Sequence, residues 1–285
     1  MVQPPLMRWR ILLMLAPALA VVILLFGGGL TLALLQSVGY LPVVGESHFT
    51  LDAYRHIFRQ PAFYRSLLLS AWIAAASTAL STLLAILSAL ALRRPFRGQK
   101  WVTFIFQLNL PIPHVVGAVG VLFLFGQSGF LARLTYLAGL INAPAQFPAL
   151  IYDRYALGII LEYVWKTTCF TGIILLALLQ SIGDDYEAVA RTLGASRWQR
   201  LRHVLLPLMQ PGILSASILV FAYTFGAFEV PLLLGQRFPS ALPVLAYRQY
   251  TDVDLQARAE AMAMSVVIAG IITLLIFAYM RLNRN

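Results

Sequence analysis

The sequence predicts an all-α membrane protein that crosses the bilayer six times. Of its 285 residues, 60% are hydrophobic and only 11% are charged, and the mean hydropathy is +0.80. Because an average soluble domain has about a quarter charged residues, this composition excludes a soluble fold. A membrane-spanning helix needs about 20 apolar residues. Six stretches meet that requirement: 11–36, 66–92, 102–126, 155–181, 208–234 and 260–281.

The strongly basic composition is explained by membrane topology. The net charge is +10, but the Lys and Arg residues lie in short loops between apolar runs, as spanning proteins require. No nucleic-acid partner is therefore predicted, and the lipid bilayer is the expected environment of the chain. An even number of spans places both termini on one side. The loops on that side, such as 93–100, carry the denser positive charge, so we assign both termini to the cytoplasm.

The first apolar run, from Ile11 to about Leu35, predicts an uncleaved span, because a signal-peptide core has only about 7–15 residues. We expect two parts in the chain. Residues 1–65 would hold the first span and an outer loop, and residues 66–285 would form a core of five spans.

The outer loop contains a short amphipathic segment. Thr50 can cap a helix, and Leu51, Tyr54, Ile57 and Phe58 fall on one face of it. This pattern predicts an interfacial helix on the outer surface, with packing as its main role.

The third span is interrupted by two prolines, Pro111 and Pro113, which lie between Asn109 and His114. Proline removes a backbone donor and bends or breaks a helix. In lipid, the freed carbonyl groups must be satisfied by neighbouring helices or by a water-lined cavity. Two interpretations stay open: Asn109 and His114 line a solute pathway, or the break is only structural.

Charged residues inside the spans are further pathway candidates. Glu162 and Lys166 have the i, i+4 order that favours a helical ion pair, so a structural pair and a pathway role both stay open. Glu229 has no basic residue at helical spacing. We interpret it as a pathway or gate residue, with a partner on another helix or snorkelling to the interface as alternatives. With the aromatic ring of Tyr223, it would suit a cation.

The longest polar stretch between apolar runs, residues 183–207, is here named the polar element. Asp184 and Glu187 resemble a helix-start box, and Ser196 with Gln199 a second one. Gly194 suits the left-handed turn between two helices, and Pro207 predicts a stop. The first helix carries an apolar stripe, which consists of Tyr186, Val189, Ala190 and Leu193. A membrane protein with such a loop is expected to present it to a partner.

Several kinds of chemistry are absent from the sequence. It contains no G-x-x-x-x-G-K-[ST] phosphate loop, no H-E-x-x-H motif and no nucleophile elbow. Cys169 is the single cysteine, and His114 has no second His or Cys at metal spacing. We therefore predict no catalytic residues, no metal site, no cofactor and no enzymatic activity in this chain.

Residues 190–196, followed by Val204 to Pro207, resemble the cytoplasmic signature of binding-protein-dependent ABC importer permeases, E-A-A-x3-G-x9-I-x-L-P. The resemblance covers about residues 66–281. Within the family, the sequence is similar to the permeases for polyamines and ferric iron. One departure is clear: Ala188 occupies the position of the family's Glu, and Glu187 stands one residue earlier. On a helix this is a rotation of about 100°.

The resemblance implies half of a solute pathway in the inner membrane of a bacterium. It implies a cytoplasmic ATPase dimer, a second permease that we expect to be a different chain, and a periplasmic or surface solute-binding protein. It also implies a polyamine-like cation as substrate. The residues expected to couple to the ATPase are Asp184, Glu187, Val189, Ala190, Arg191, Leu193, Gly194, Ala195, Ser196, Leu206 and Pro207. The alternative function is a stand-alone secondary transporter or channel that uses Glu162, Lys166 and Glu229.

Overall fold

A computed structural model describes residues 5–40, 42, 45, 48–183 and 185–282, and in that part of the chain the regular structure is entirely helical. The α-helices are α1 (Pro5–Val21), α2 (Gly28–Ser37), α3 (Asp52–Arg59), α4 (Pro61–Leu92), α5 (Gln99–Gln107), α6 (His114–Phe125), α7 (Phe130–Leu137), α8 (Leu157–Ile182), α9 (Asp185–Thr192), α10 (Arg197–Arg200), α11 (Leu206–Gly226), α12 (Glu229–Leu234), α13 (Leu242–Tyr250) and α14 (Ala257–Leu282). Two π-helical turns, Val22–Gly27 and Leu201–Leu205, and a 3-10 turn, Pro144–Gln146, complete the regular structure.

Six helical stretches of the described residues are long and apolar enough to span a membrane, as the sequence predicts. They are Leu13–Ser37, Pro61–Leu92, His114–Leu137, Leu157–Ile182, Arg197–Gly226 and Ala257–Arg281. The third and fifth stretches are shifted most from the expected bounds. The third stretch begins at His114 rather than 102, because the prolines end α5 before it. The fifth ends at Gly226 rather than 234, because the chain leaves helical geometry at Ala227.

One compact unit of the chain comprises residues 1–63 and 245–270. The short helix predicted after Thr50 is present there as α3, and its interfacial position stays a prediction. The hydroxyl of Thr50 accepts from the amide of Asp52 at 3.1 Å, and Ile57 is fully buried. The hydroxyl of Thr50 and, second, the guanidinium of Arg55 lower the pKa of Asp52. Phe58 and Leu51, by contrast, remain exposed.

The other unit, residues 64–244 and 271–285, holds the candidate sites. It contains two buried apolar clusters. One packs α4, α6, α8 and α12 around Tyr163, and the other packs α4, α8 and α11 around Leu175 and Met209. The α8 helix is buried along most of its length, and it contributes to both clusters. It is therefore the central support for side chains that the flanking helices present.

Candidate functional site: a broken span and a polar element

The break in the third span is stabilised by Lys166. Helical structure ends at Gln107 and resumes at His114, which leaves carbonyl groups without intrahelical donors. The Lys166 ammonium group, on α8, donates to the carbonyl of Asn109 at 2.6 Å and to that of Ile112. Lys166 therefore satisfies the backbone that the prolines leave open.

The expected helical ion pair of Glu162 with Lys166 is wrong. Among the described residues, no ion pair joins them, since Lys166 is taken by the carbonyl groups. Glu162 instead accepts from His114, whose Nδ1 lies 3.0 Å from Glu162 Oε1. Glu162 is fully buried, and Gly117 on α6 permits its close approach. The carbonyl groups that bind Lys166 lie in the non-helical break between α5 and α6.

Asn109 joins the broken segment to α8. Its side-chain amide donates to the carbonyl of Trp165 at 2.8 Å and to Cys169 Sγ at 3.4 Å. Both Asn109 and Cys169 are buried. These contacts place Asn109 in the interface between the broken segment and α8.

Three rings meet beside the break. The ring of His114 lies 4.9 Å from that of Tyr223 and 5.9 Å from that of Tyr163, centroid to centroid. Sequence reasoning missed Tyr163, although it is adjacent to Glu162. A cavity of about 480 Å³ opens here, lined by Leu110, Pro111, Ile112, Pro113, His114, Lys166, Thr167, Phe170, Leu219, Val220 and Tyr223. The structure thus brings three of the pathway candidates, His114, Lys166 and Tyr223, to one cavity wall.

Glu229 is not among the described residues that line that cavity. It begins α12 after the non-helical Ala227, and no ion pair of the described residues includes it. It is half-buried, whereas the following Val230 and Pro231 are buried. An acid at this end of a helix is favoured by the helix dipole.

The polar element folds as two short helices around a glycine turn. Gly194 has φ +82°, a conformation in which a Cβ would be strained. Ser196 and Gln199 form the predicted capping box, with both hydrogen bonds present. Asp184 lies outside the described residues. Ala190 and Ala195 are joined across the turn, where the Ala195 amide donates to the Ala190 carbonyl at 3.0 Å.

The apolar stripe of α9 is exposed. Tyr186, Val189 and Leu193 are 59%, 60% and 83% exposed, and only Ala190 is half-buried. No other described part of the chain covers this stripe.

Glu187 is not part of the exposed stripe of α9, and it contacts three arginines. The contacts are with Arg93, with Arg94 at 3.2 Å and with Arg200 at 3.1 Å. The Glu187 side chain is only 14% exposed. Sequence reasoning did not find these partners. No local pattern could have found them, because Arg94 and Arg93 lie 93 and 94 residues from Glu187 in the sequence.

The predicted stop at Pro207 is wrong. The chain continues from α10 through the π turn Leu201–Leu205 into α11, which begins at Leu206. Proline lacks an N–H and its ring clashes with the carbonyl four residues earlier. A π turn has wider hydrogen-bond spacing, and it accommodates such a residue without ending the helix.

No group of three or more His, Cys, Asp or Glu in the described part of the chain is arranged to hold a metal ion.

Comparison with known proteins gives one consistent family. The family model described as "binding-protein-dependent transport system inner membrane component" matches residues 81–285. The molybdenum transport system permease protein ModB of Mycobacterium tuberculosis is 33% identical over 220 residues, which cover 75% of this chain and 78% of the relative. The 2-aminoethylphosphonate transport system permease protein PhnV of Salmonella typhimurium is 28% identical over 248 residues, or 87% of this chain and 83% of the relative.

A solved structure has the same fold. It is a bacterial ABC transporter involved in the import of the acidic polysaccharide alginate, with a TM-score of 0.77 and 21% identity. The match covers 96% of this chain and 96% of that one.

Proposed function

The chain belongs to the family of binding-protein-dependent transport inner membrane components, and we propose that its polar element couples a solute pathway to a separate ATPase. The family and the inner-membrane location agree with the sequence-based predictions, so the chain is a multi-pass permease subunit of an ABC importer. The predicted partners follow from this membership: a solute-binding protein, a cytoplasmic ATPase dimer and a second permease.

The exposed apolar stripe of α9 is the observation that carries the coupling proposal. Burying apolar surface is favourable by about 25 cal/mol per Å², yet Tyr186, Val189 and Leu193 are exposed on a polar loop. A partner groove would cover them. ATP hydrolysis takes place in that partner, since this chain has no phosphate loop.

The geometry behind the stripe supports transmission into the membrane. The Gly194 turn fixes α9 against α10, and α10 continues into the fifth span without interruption. A displacement of α9 by the ATPase would therefore move the fifth span, one wall of the cavity at His114 and Tyr223.

The test places a charge on the stripe and, as a control, beside it. Val189→Glu would bury an unpaired carboxylate in the groove, at a cost of several kcal/mol. Thr192→Glu adds the same charge at an exposed position three residues later, about 60° around the helix from Val189 and not itself part of the stripe. We expect Val189→Glu and Gly194→Pro to abolish solute-stimulated ATP hydrolysis by the assembled complex. Thr192→Glu should retain it, and all three chains should insert normally.

Unchanged coupling in Val189→Glu and Gly194→Pro would contradict the proposal. Transport by the lone chain in liposomes would support the stand-alone transporter instead. The structure favours the first function, because Glu162 and Lys166 are held by His114 and by backbone carbonyls.

We further propose that the cavity beside the break forms this chain's half of the pathway. A second permease, a different chain, would close its open side. The first span has apolar surface available for contact with lipid or with such a neighbour, since the apolar window within Leu13–Ser37 has no buried residue.

For the solute, we place a small oxyanion ahead of the polyamine-like cation that the sequence suggested. The cation in the cavity wall is Lys166, whereas Glu229 is not among the described residues that line it. The relatives transport molybdenum and 2-aminoethylphosphonate. Stimulation of ATP hydrolysis by molybdate or a phosphonate, with the cognate binding protein, would support an oxyanion. Stimulation by spermidine alone would support the cation.

A further inference from the structure

A small pocket beside Glu187 is lined mainly by arginines. Its volume is about 240 Å³, and its wall consists of Arg94, Glu187, Ala188, Arg191 and Arg200. These residues come from three separate segments: the loop after α4, the α9 helix and the α10 helix. The pocket lies on the face of α9 opposite the apolar stripe.

The charge in this wall is unbalanced. Three guanidinium groups face one carboxylate, a surplus of two positive charges (3 − 1 = 2), and Arg93 also contacts that carboxylate. Arg94 and Arg200 each bond to Glu187. Arg191 makes no side-chain hydrogen bond or ion pair among the described residues. Because like charges held close together repel one another, a second anion in the pocket would be favoured.

Size and donor geometry select the class of anion. Guanidinium groups bind carboxylate and phosphate through paired N–H donors. Since one water occupies about 30 Å³ of liquid, the pocket holds a tetrahedral oxyanion and a few waters. We propose that the pocket binds a phosphate-like oxyanion, supplied as free inorganic phosphate or as the phosphate of a lipid headgroup.

The bound anion would share Arg94 and Arg200 with Glu187. It would join the end of α4 to both helices of the polar element, and so regulate how freely that element moves. This regulatory consequence rests on the proposed coupling function, whereas the binding itself does not.

The binding test uses the purified full chain in dodecyl maltoside, which carries no phosphate, and equilibrium dialysis against radiolabelled inorganic phosphate at constant ionic strength. We expect one saturable site per chain. Arg191→Gln removes a charged donor from an exposed helix position and should weaken binding about tenfold or more. Glu187→Gln removes the resident negative charge and should tighten it about tenfold. Arg202→Gln, outside the pocket, should change it less than about threefold.

Arg191→Gln is expected to weaken phosphate binding and Glu187→Gln to tighten it. Because a variant that only disturbs the fold weakens binding, tighter binding in Glu187→Gln cannot result from misfolding. Circular dichroism and gel filtration confirm that each variant is folded. Absence of saturable binding, or a shift of Arg191→Gln and Glu187→Gln in the same direction, would overturn the proposal. Unchanged coupling in Val189→Glu would refute the coupling proposal and leave this binding result untouched, so the two proposals can fail separately.

A second arm identifies the source of the anion. Phosphatidylglycerol is added to the micelles at increasing mole fraction. If its headgroup enters the pocket, the apparent affinity for inorganic phosphate falls with lipid content, and that competition is lost in Arg191→Gln. An affinity that is independent of the lipid assigns the pocket to free phosphate.

Discussion

Replacing Gly117 by alanine tests whether the buried Glu162–His114 contact depends on close packing between α6 and α8. A Cβ at this position would lie 2.9 Å from Glu162 Oε1 and 3.0 Å from the Trp165 ring. Ordinary van der Waals contacts are 3.4–4 Å, so the neighbours must move by about 0.5 Å. Glu162 is fully buried and bonded to His114, and it has little room to move.

Gly120→Ala is the matched control. It lies on the same helix, and an added Cβ there has nothing within 4 Å. Both substitutions gain the same helix propensity, up to about 1 kcal/mol, and this gain cancels in the comparison. Overpacking then leaves Gly117→Ala about 1–3 kcal/mol less stable than the control. Loss of the charge-assisted bond to His114 would place the difference at the upper end of that range.

The measurement is thermal unfolding of the two purified variants in one detergent, together with transport by the assembled complex. We expect Gly117→Ala to unfold several degrees below Gly120→Ala and to transport more slowly. Equal unfolding midpoints and equal transport would refute the inference that Gly117 is required for the Glu162 contact.

Three further predictions follow from single contacts. Lys166→Met removes the donor to the Ile112 carbonyl and leaves the Asn109 carbonyl with the Ile112 amide at 3.3 Å. Because an unsatisfied buried group costs about 1–3 kcal/mol, the unfolding midpoint should fall below that of Lys100→Met, an exposed control; equal midpoints would show that water replaces the ammonium. Ser196→Ala removes the capping box and should destabilise the polar element by about 1 kcal/mol, measured as faster amide exchange in α10; unchanged exchange would contradict this. Thr50→Val removes the main cause of the lowered pKa of Asp52, so NMR titration should show that pKa rise toward its ordinary value. In the unmodified protein, the lowered pKa of Asp52 stabilises the fold above the pKa of the unfolded state, and this stabilisation is lost as the pH falls through the pKa of the folded state.

The six spans were predictable because each is specified locally. A run of about 20 apolar residues is sufficient to identify a spanning helix, wherever the helix packs. The helix ends were less predictable. The apolar run at 102–126 contains Pro111 and Pro113, and hydropathy does not show on which side of them the crossing helix lies. The structure places it after them, at His114–Leu137.

The polar element was predictable where its signals are local. The Gly194 turn and the Ser196 capping box each depend on residues within three or four positions. Its tertiary contacts were not predictable. Glu187 lies 94 residues from Arg93, and no periodicity specifies the distance between separate helices.

The pairing of Glu162 shows the same limit. The i, i+4 rule correctly identifies Lys166 as a neighbour, but it ranks only partners on the same helix. The carbonyl groups at the break compete for Lys166, and His114, 48 residues away, replaces it at Glu162. A proline break in one span therefore decided the partners of charges in another.

The uninterrupted helix from Arg197 to Gly226 acts as a lever. Its 30 residues extend about 45 Å at 1.5 Å per residue. A tilt of about 5° about one end displaces the other by about 4 Å. The π turn at Leu201–Leu205 keeps α10 and α11 in one continuous helical stretch. If the polar element couples to an ATPase as proposed, small movements there would be sufficient to change the width of the proposed pathway.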